Sequence, residues 1–123
     1  PIMVTGGLRR REVMEHVLET GGADMIGLGR PLCIETDGPN QLLAGTDELG
    51  RYENSLSLLP KWLMWLTRFN TVRTINSFAT QFWFYEQIAN IGRTGTVDNN
   101  LSVFSATLAQ QKAAGAWVKA RNR

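Results

Sequence analysis

Four residues near the start of the chain could do chemistry together. Gly6 and Gly7 follow an apolar run, Pro1 to Val4, that stops at Thr5, while Gly29 and Arg30 follow a second, Ala23 to Leu28. Glycine lets backbone N–H groups approach an anion closely, and a guanidinium is a permanently charged fork that matches phosphate. If the two runs are adjacent parallel strands, their ends lie side by side and the four residues form a phosphate site. Glycines that merely turn the chain would leave the same pattern, so the residues alone keep both readings open. Gly-Gly by itself says little; two glycine-ended runs sharing one arginine point to an anion.

The elements that must position these residues are short. Between the runs, Val13, Met14, Val17 and Leu18 fall on one stripe of a helix, with Glu12, Glu15 and Glu19 mostly outside it. Arg9 to Arg11 precede that helix, and Gly21-Gly22 stop it. Strand, helix, strand is the order of a parallel pair with a right-handed crossover. Uninterrupted apolar runs predict strands buried on both faces. In such folds ligands sit at the carboxyl ends of the strands, where the glycines are.

The stretch PIMVTGGLRRREVMEHVLETGGADMIGLGRPL resembles the end of the barrel in the NADH:flavin oxidoreductase, or old yellow enzyme, family. That resemblance implies an FMN-binding (β/α)8 TIM barrel whose seventh and eighth strands carry the loops that hold the FMN phosphate. The fold it implies is α/β: residues 1–45 are the last two β/α units of the barrel, and residues 46–123 a helical C-terminal extension packing on it. It makes Gly6, Gly7, Gly29 and Arg30 the cofactor-binding residues, with Thr5 and Leu28 as neighbours. The strong match covers residues 1–45, and a looser one continues through TINSFATQFWFYEQIANIGRTG. The activity implied is that of a flavoprotein oxidoreductase of the ene-reductase type, with NADH or NADPH as electron donor.

The departure from the family is one of length. Closing an eight-stranded barrel takes about 250 residues, and the chain has 123. The family's flavin-ring contacts, its substrate-binding His/His or His/Asn pair and its Tyr acid belong to segments outside these residues. No catalytic residue is therefore expected here: the resemblance implies an enzyme as part of a complete FMN-dependent oxidoreductase, while this chain alone lacks the family's substrate and proton-donor residues. His16, on the helix between the strands, has no role. Cys33, with neither a His nearby nor a CxxC partner, reads as a small packed residue rather than a redox thiol.

Composition narrows the alternatives. Hydrophobic residues make up 43% and charged residues 20%, which is globular, and 13 Lys and Arg against 11 Asp and Glu leave a net charge of +2. That balance does not supply the clustered cations of a nucleic-acid surface. One Cys and one His exclude an internal disulfide and a Cys/His zinc cage, so no metal site is expected. Apolar runs such as Trp62 to Leu66 fall far short of the roughly 20 residues of a membrane helix. The opening Pro-Ile-Met-Val reads as a strand rather than a signal peptide and starts in mid-strand, which predicts a cytoplasmic piece of something longer.

The remaining residues read as helical. Cys33 to Asn40 is a connection, Gln41 to Ala44 a helical turn, and residues 45–56 a polar linker and the best boundary. Ser57 to Phe69 predicts a helix, apolar nearly all round, with Pro60 in its first turn. Arg73 to Ile91 predicts another, with Ile75, Phe78, Ala79, Phe82 and Glu86 on one face that Trp83 and Phe84 widen, ended by Gly92 to Gly95. Asp98 is the expected N-cap of a last helix carrying Leu101, Phe104, Leu108 and Trp117 and ending in the cations of Lys119 to Arg123.

Two expectations of different class follow. In one, the chain supplies the FMN phosphate loops of an NAD(P)H:flavin oxidoreductase. In the other, it is a truncated, non-catalytic chain that acts as a helical interaction module or as half of an assembled barrel. Two lone parallel strands leave their edges and the faces of Val4, Met25 and Ile26 without cover. The expected partner is thus the rest of the barrel, on the same or a separate chain, or a second copy; no nucleic acid and no membrane is expected.

Overall fold

The computed structural model describes residues 1–121, so Asn122 and Arg123 of the expected cationic tail lie outside the described residues. The chain divides into two compact units, one running from Pro1 to Asn54 and the other starting at Ser55. The division falls later than residue 45, because the polar stretch after Gly45 is bonded into the first unit.

The first unit is built on a parallel strand pair. Strand β1 (Met3–Thr5) pairs with β2 (Met25–Gly27) in the register Met3↔Met25, Val4↔Ile26, Thr5↔Gly27. The connection is helix α1 (Arg11–Glu19), which ends where Gly21 and Gly22 break the pattern. Met14 is the buried member of its stripe; Val13 and Leu18 are more exposed than the spacing predicts. A 3-10 turn over Arg30–Cys33 follows β2, and α2 (Gly38–Leu43) comes next, with Pro39 in its first turn. This helix begins earlier than the turn expected from Gln41, since proline fits a first turn whose N–H groups have no helical partner.

The small core joins Met14, Leu42 and Leu49, with Leu8, Ile26 and Leu28 packed against them. Leu49, at 1% exposure, lies inside the stretch read as a linker. It is held there because its N–H donates to the Arg9 carbonyl at 3.0 Å, while the Arg11 N–H donates to the Asp47 carbonyl at 2.8 Å. Glu35 accepts from the Gly50 N–H at 2.7 Å, and burial together with the Glu35 carboxylate pushes the Tyr52 hydroxyl up to about 12. One expectation fails plainly: the strands are not buried on both faces. Ile2, Met3 and Met25 are exposed, because in the described residues the sheet has two strands and one crossover helix to cover it.

The second unit is helical. Lys61–Arg68 forms a 3-10 segment rather than the regular helix expected over 57–69, and Pro60 caps it from outside in extended backbone. Ahead of it the chain is fastened to the next helix, since Asn76 Oδ1 accepts from the Leu58 N–H at 2.8 Å and the Ser57 hydroxyl at 3.1 Å. Helix α3 (Asn70–Thr94) and helix α4 (Val103–Arg121) pack against each other. The buried face of α3 is Ala79, Trp83, Phe84 and Gln87, which keeps the widened side of the expected face and adds Gln87, while Ile75 and Phe78 are exposed. Polar bonds explain this bias. Trp83 Nε1 donates to the Leu101 carbonyl at 2.7 Å, and the Gln87 amide both donates to the Asp98 carbonyl and accepts from the Asp98 N–H. Asp98 therefore serves the turn and is not the cap of α4; Ser102 takes that place, its Oγ accepting from the Ser105 N–H at 3.0 Å. Phe104, Leu108 and Trp117 are exposed, and α4 packs through Val103 and Ala106 instead. Among the described residues no helix is long and apolar enough to cross a membrane.

Candidate functional site

The parallel register brings the two glycine ends together. Thr5 stands opposite Gly27, so Gly6 and Gly7 leave β1 at the level where Leu28 and Gly29 leave β2. A hollow of about 380 Å³ opens there, lined by Gly6, Gly7, Arg9, Gly27, Gly29 and Arg30, with Met3, Thr5 and Leu28 completing its wall. All four residues expected from the sequence thus border one space.

Backbone conformation explains two of the glycines. Gly6 and Gly7 have φ of 98° and 75°, the left-handed region that residues with a Cβ rarely enter. At neither would a Cβ meet a neighbour, so the requirement is conformational, not steric. Gly27 is the opposite case, because a Cβ there would overlap Thr5 Cγ2 and press on Met3 Sδ at 3.1 Å. Gly27 leaves room for the Thr5 and Met3 side chains to lie over β2. The Thr5↔Gly27 pairing engages the Gly6 N–H with the Gly27 carbonyl, whereas the N–H groups of Gly7 and Gly29 find no acceptor among the described residues. Two open donors beside a guanidinium are the chemistry of an oxyanion site.

Charge at the hollow comes from two lining side chains, Arg9 and Arg30, and from Glu53, which pairs with both from outside the lining. The Arg30 side chain, 54% exposed, starts the 3-10 turn after Gly29. Arg9 is buried at 5% exposure; its Nη1 donates to the Leu8 carbonyl at 2.9 Å and its Nε has no acceptor. Glu53 serves both: its Oε1 accepts from Arg9 Nη2 at 3.1 Å and lies 3.8 Å from Arg30 Nη1. Two guanidiniums against one carboxylate leave the hollow net positive.

Sequence reading missed Arg9, Gly27 and Glu53. Arg9 carried a signal, standing two residues beyond the Gly-Gly turn, but it was one of three successive arginines and nothing marked it as the buried one. Gly27 carried one as well, as the first glycine of the Gly-Leu-Gly that ends β2. Glu53 carried none, being 44 residues from its partner in sequence. His16 is exposed on α1, outside the residues lining the hollow. The Cys33 thiol is half-buried and contacts the Gly29 carbonyl at 4.0 Å, and burial pushes its pKa up. Among the described residues no group of three or more His, Cys, Asp and Glu side chains gathers to hold a metal.

Comparison with known proteins gives one distant relationship. The chain is 23% identical over 95 residues to an NADH-dependent flavin oxidoreductase of Talaromyces variabilis, an alignment covering 77% of this chain and 23% of that protein. The chain therefore spans under a quarter of the length of the relative it matches. No protein-family model matches the chain, and no solved structure does.

Proposed function

We propose that the chain is the phosphate-anchoring end of an FMN-dependent NAD(P)H:flavin oxidoreductase of the old yellow enzyme type, contributing the last two β/α units of its barrel. The observation that carries this reading is the convergence of Gly6, Gly7, Gly29 and Arg30 on one hollow at the carboxyl ends of two parallel strands. The distant flavin oxidoreductase relative supports it.

The donor set fits the terminal phosphate of FMN. The free N–H groups of Gly7 and Gly29 supply neutral donors, and Arg30, its side chain about half exposed, supplies the charged fork. Bound FMN would supply the redox chemistry, accepting hydride from NADH or NADPH and passing it to an activated alkene. The residues of this chain hold and orient one end of that group; they move no proton and touch no reacting atom.

A second reading, half of an assembled barrel, is favoured by the exposed Ile2, Met3 and Met25 on an open two-stranded sheet. It shares the phosphate site and differs in where the covering strands come from, a separate chain or a second copy.

The test is to titrate the chain with FMN and with riboflavin, which lacks the phosphate. FMN should bind and riboflavin should not, since only phosphate contacts lie in these residues. Equal binding of both, or of neither, refutes the proposal.

A further inference from the structure

We propose that Glu53 is a built-in counter-anion of the hollow, which competes with a bound phosphate for Arg30 and so sets how tightly the site holds a phosphomonoester. The inference rests on the reading of the hollow as a phosphate site and adds a residue with a defined effect on it.

Glu53 is delivered to the hollow by structure. The stretch that carries it is bonded to Arg9 and Arg11 through Leu49 and Asp47, and to Glu35 through Gly50. It then turns through a 3-10 segment, Tyr52–Asn54, that places the carboxylate between two guanidiniums. The two contacts differ in kind. Arg9 is buried, and a buried guanidinium requires a partner; its 3.1 Å bond to Glu53 Oε1 answers that need. Arg30 is mostly exposed, and at 3.8 Å its contact with the same oxygen is an attraction without a hydrogen bond. Glu53 Oε2 is buried and has no partner, so the carboxylate is held through Oε1 alone.

This asymmetry defines an exchange. A phosphate entering beside Gly6, Gly7 and Gly29 draws Arg30 away from Glu53, while Arg9 stays paired. The incoming anion then sits beside a carboxylate that repels it. Glu53 therefore weakens phosphate binding, and in the absence of phosphate it neutralises the charge that would attract other anions.

The experiment compares the unmodified chain with Glu53→Gln by titration with inorganic phosphate. Glutamine keeps an oxygen for Arg9 and removes the charge. Affinity should rise about tenfold at low salt, the scale of one unit charge a few ångströms from another at a wet surface. The gain should shrink at high salt through screening, and it should vanish when Arg30→Ala is added. A folded E53Q chain that binds phosphate equally or more weakly overturns the proposal. In the unmodified chain, phosphate should shift the guanidinium Nε–H resonance of Arg30; an unmoved Arg30 with phosphate bound overturns it even if E53Q does not fold. Phosphate binding without FMN binding would remove the flavin reading and leave the role of Glu53 standing. Binding of both ligands with no change in E53Q would do the reverse, and binding of neither ligand by either protein removes both.

Discussion

Arg30→Ala separates a binding residue from a structural one. Among the described residues Arg30 has one ionic partner, Glu53 at 3.8 Å, and its side chain is 54% exposed. An exposed ion pair of that length contributes about 0–1 kcal/mol to stability, and Arg9 keeps Glu53 paired after Arg30 is gone. The melting temperature should therefore hold nearly constant. Binding should not. A charge-assisted hydrogen bond is worth about 1.5–3 kcal/mol, and the exposure of Arg30 places it near the lower end. A loss of about 1.4–2 kcal/mol corresponds to roughly 10- to 30-fold weaker binding. The assay is calorimetric titration with inorganic phosphate at low salt, with thermal melts in parallel. Arg30→Lys should recover part of the affinity, because it restores the charge but not the planar fork. A dissociation constant within about twofold of the unmodified chain, at unchanged stability, would refute the assignment of Arg30 to the anion.

Two further substitutions test how the site is positioned. Gly27→Val places carbon where Thr5 Cγ2 already stands and against Met3 Sδ; it should cost about 1–3 kcal/mol in urea denaturation and abolish phosphate binding, whereas Gly29→Ala, with open space around its Cβ, should leave stability unchanged. Leu49→Ala removes a side chain with 1% exposure from the centre of a small core. At about 2–5 kcal/mol it should strip hydrogen-exchange protection from the first unit while the α3–α4 pair stays protected; retained protection across α1 would show that the core does not hold the loops.

What the sequence revealed and what it hid follow from the range of the interactions. The strand–helix–strand order and the glycine ends are local: apolar runs of matching length, a helical stripe and Gly stops specify them without knowledge of any partner. The convergence of Gly6, Gly7, Gly29 and Arg30 follows from that order alone. Glu53 was hidden because its placement depends on Leu49 being drawn into the core, and a lone leucine in a Gly/Asp/Glu-rich stretch gives no periodicity to read. In the helical part the error lay in how much of the face was taken as buried. Counting apolar residues on α3 includes Trp83 and Phe84 but also Ile75 and Phe78, which are exposed, and misses Gln87. Trp83 and Gln87 are drawn inward by bonds to backbone groups of the following turn. Such bonds leave no trace in an apolar pattern, since the acceptors are main-chain carbonyls that every residue has. The Asp98 cap failed for the same reason, its backbone being already committed to Gln87.

The first unit also contrasts a closely grouped set of donors with a sparsely covered sheet. The residues of the proposed anion site lie within Pro1–Asn54, positioned by a two-strand register and a core of a few side chains. The sheet that carries the site is poorly protected: Ile2, Met3 and Met25 present apolar surface to solvent, at roughly 25 cal/mol for each square ångström left uncovered. Strands that are short, parallel and apolar gain their stability from cover on both faces and from neighbours on both edges. A covering partner would thus add little to the charge and donors of the hollow and much to the persistence of the strands whose ends form it. Phosphate affinity and strand stability should respond to different parts of the molecule, the first to Arg30 and Glu53, the second to whatever pairs with the edges of β1 and β2.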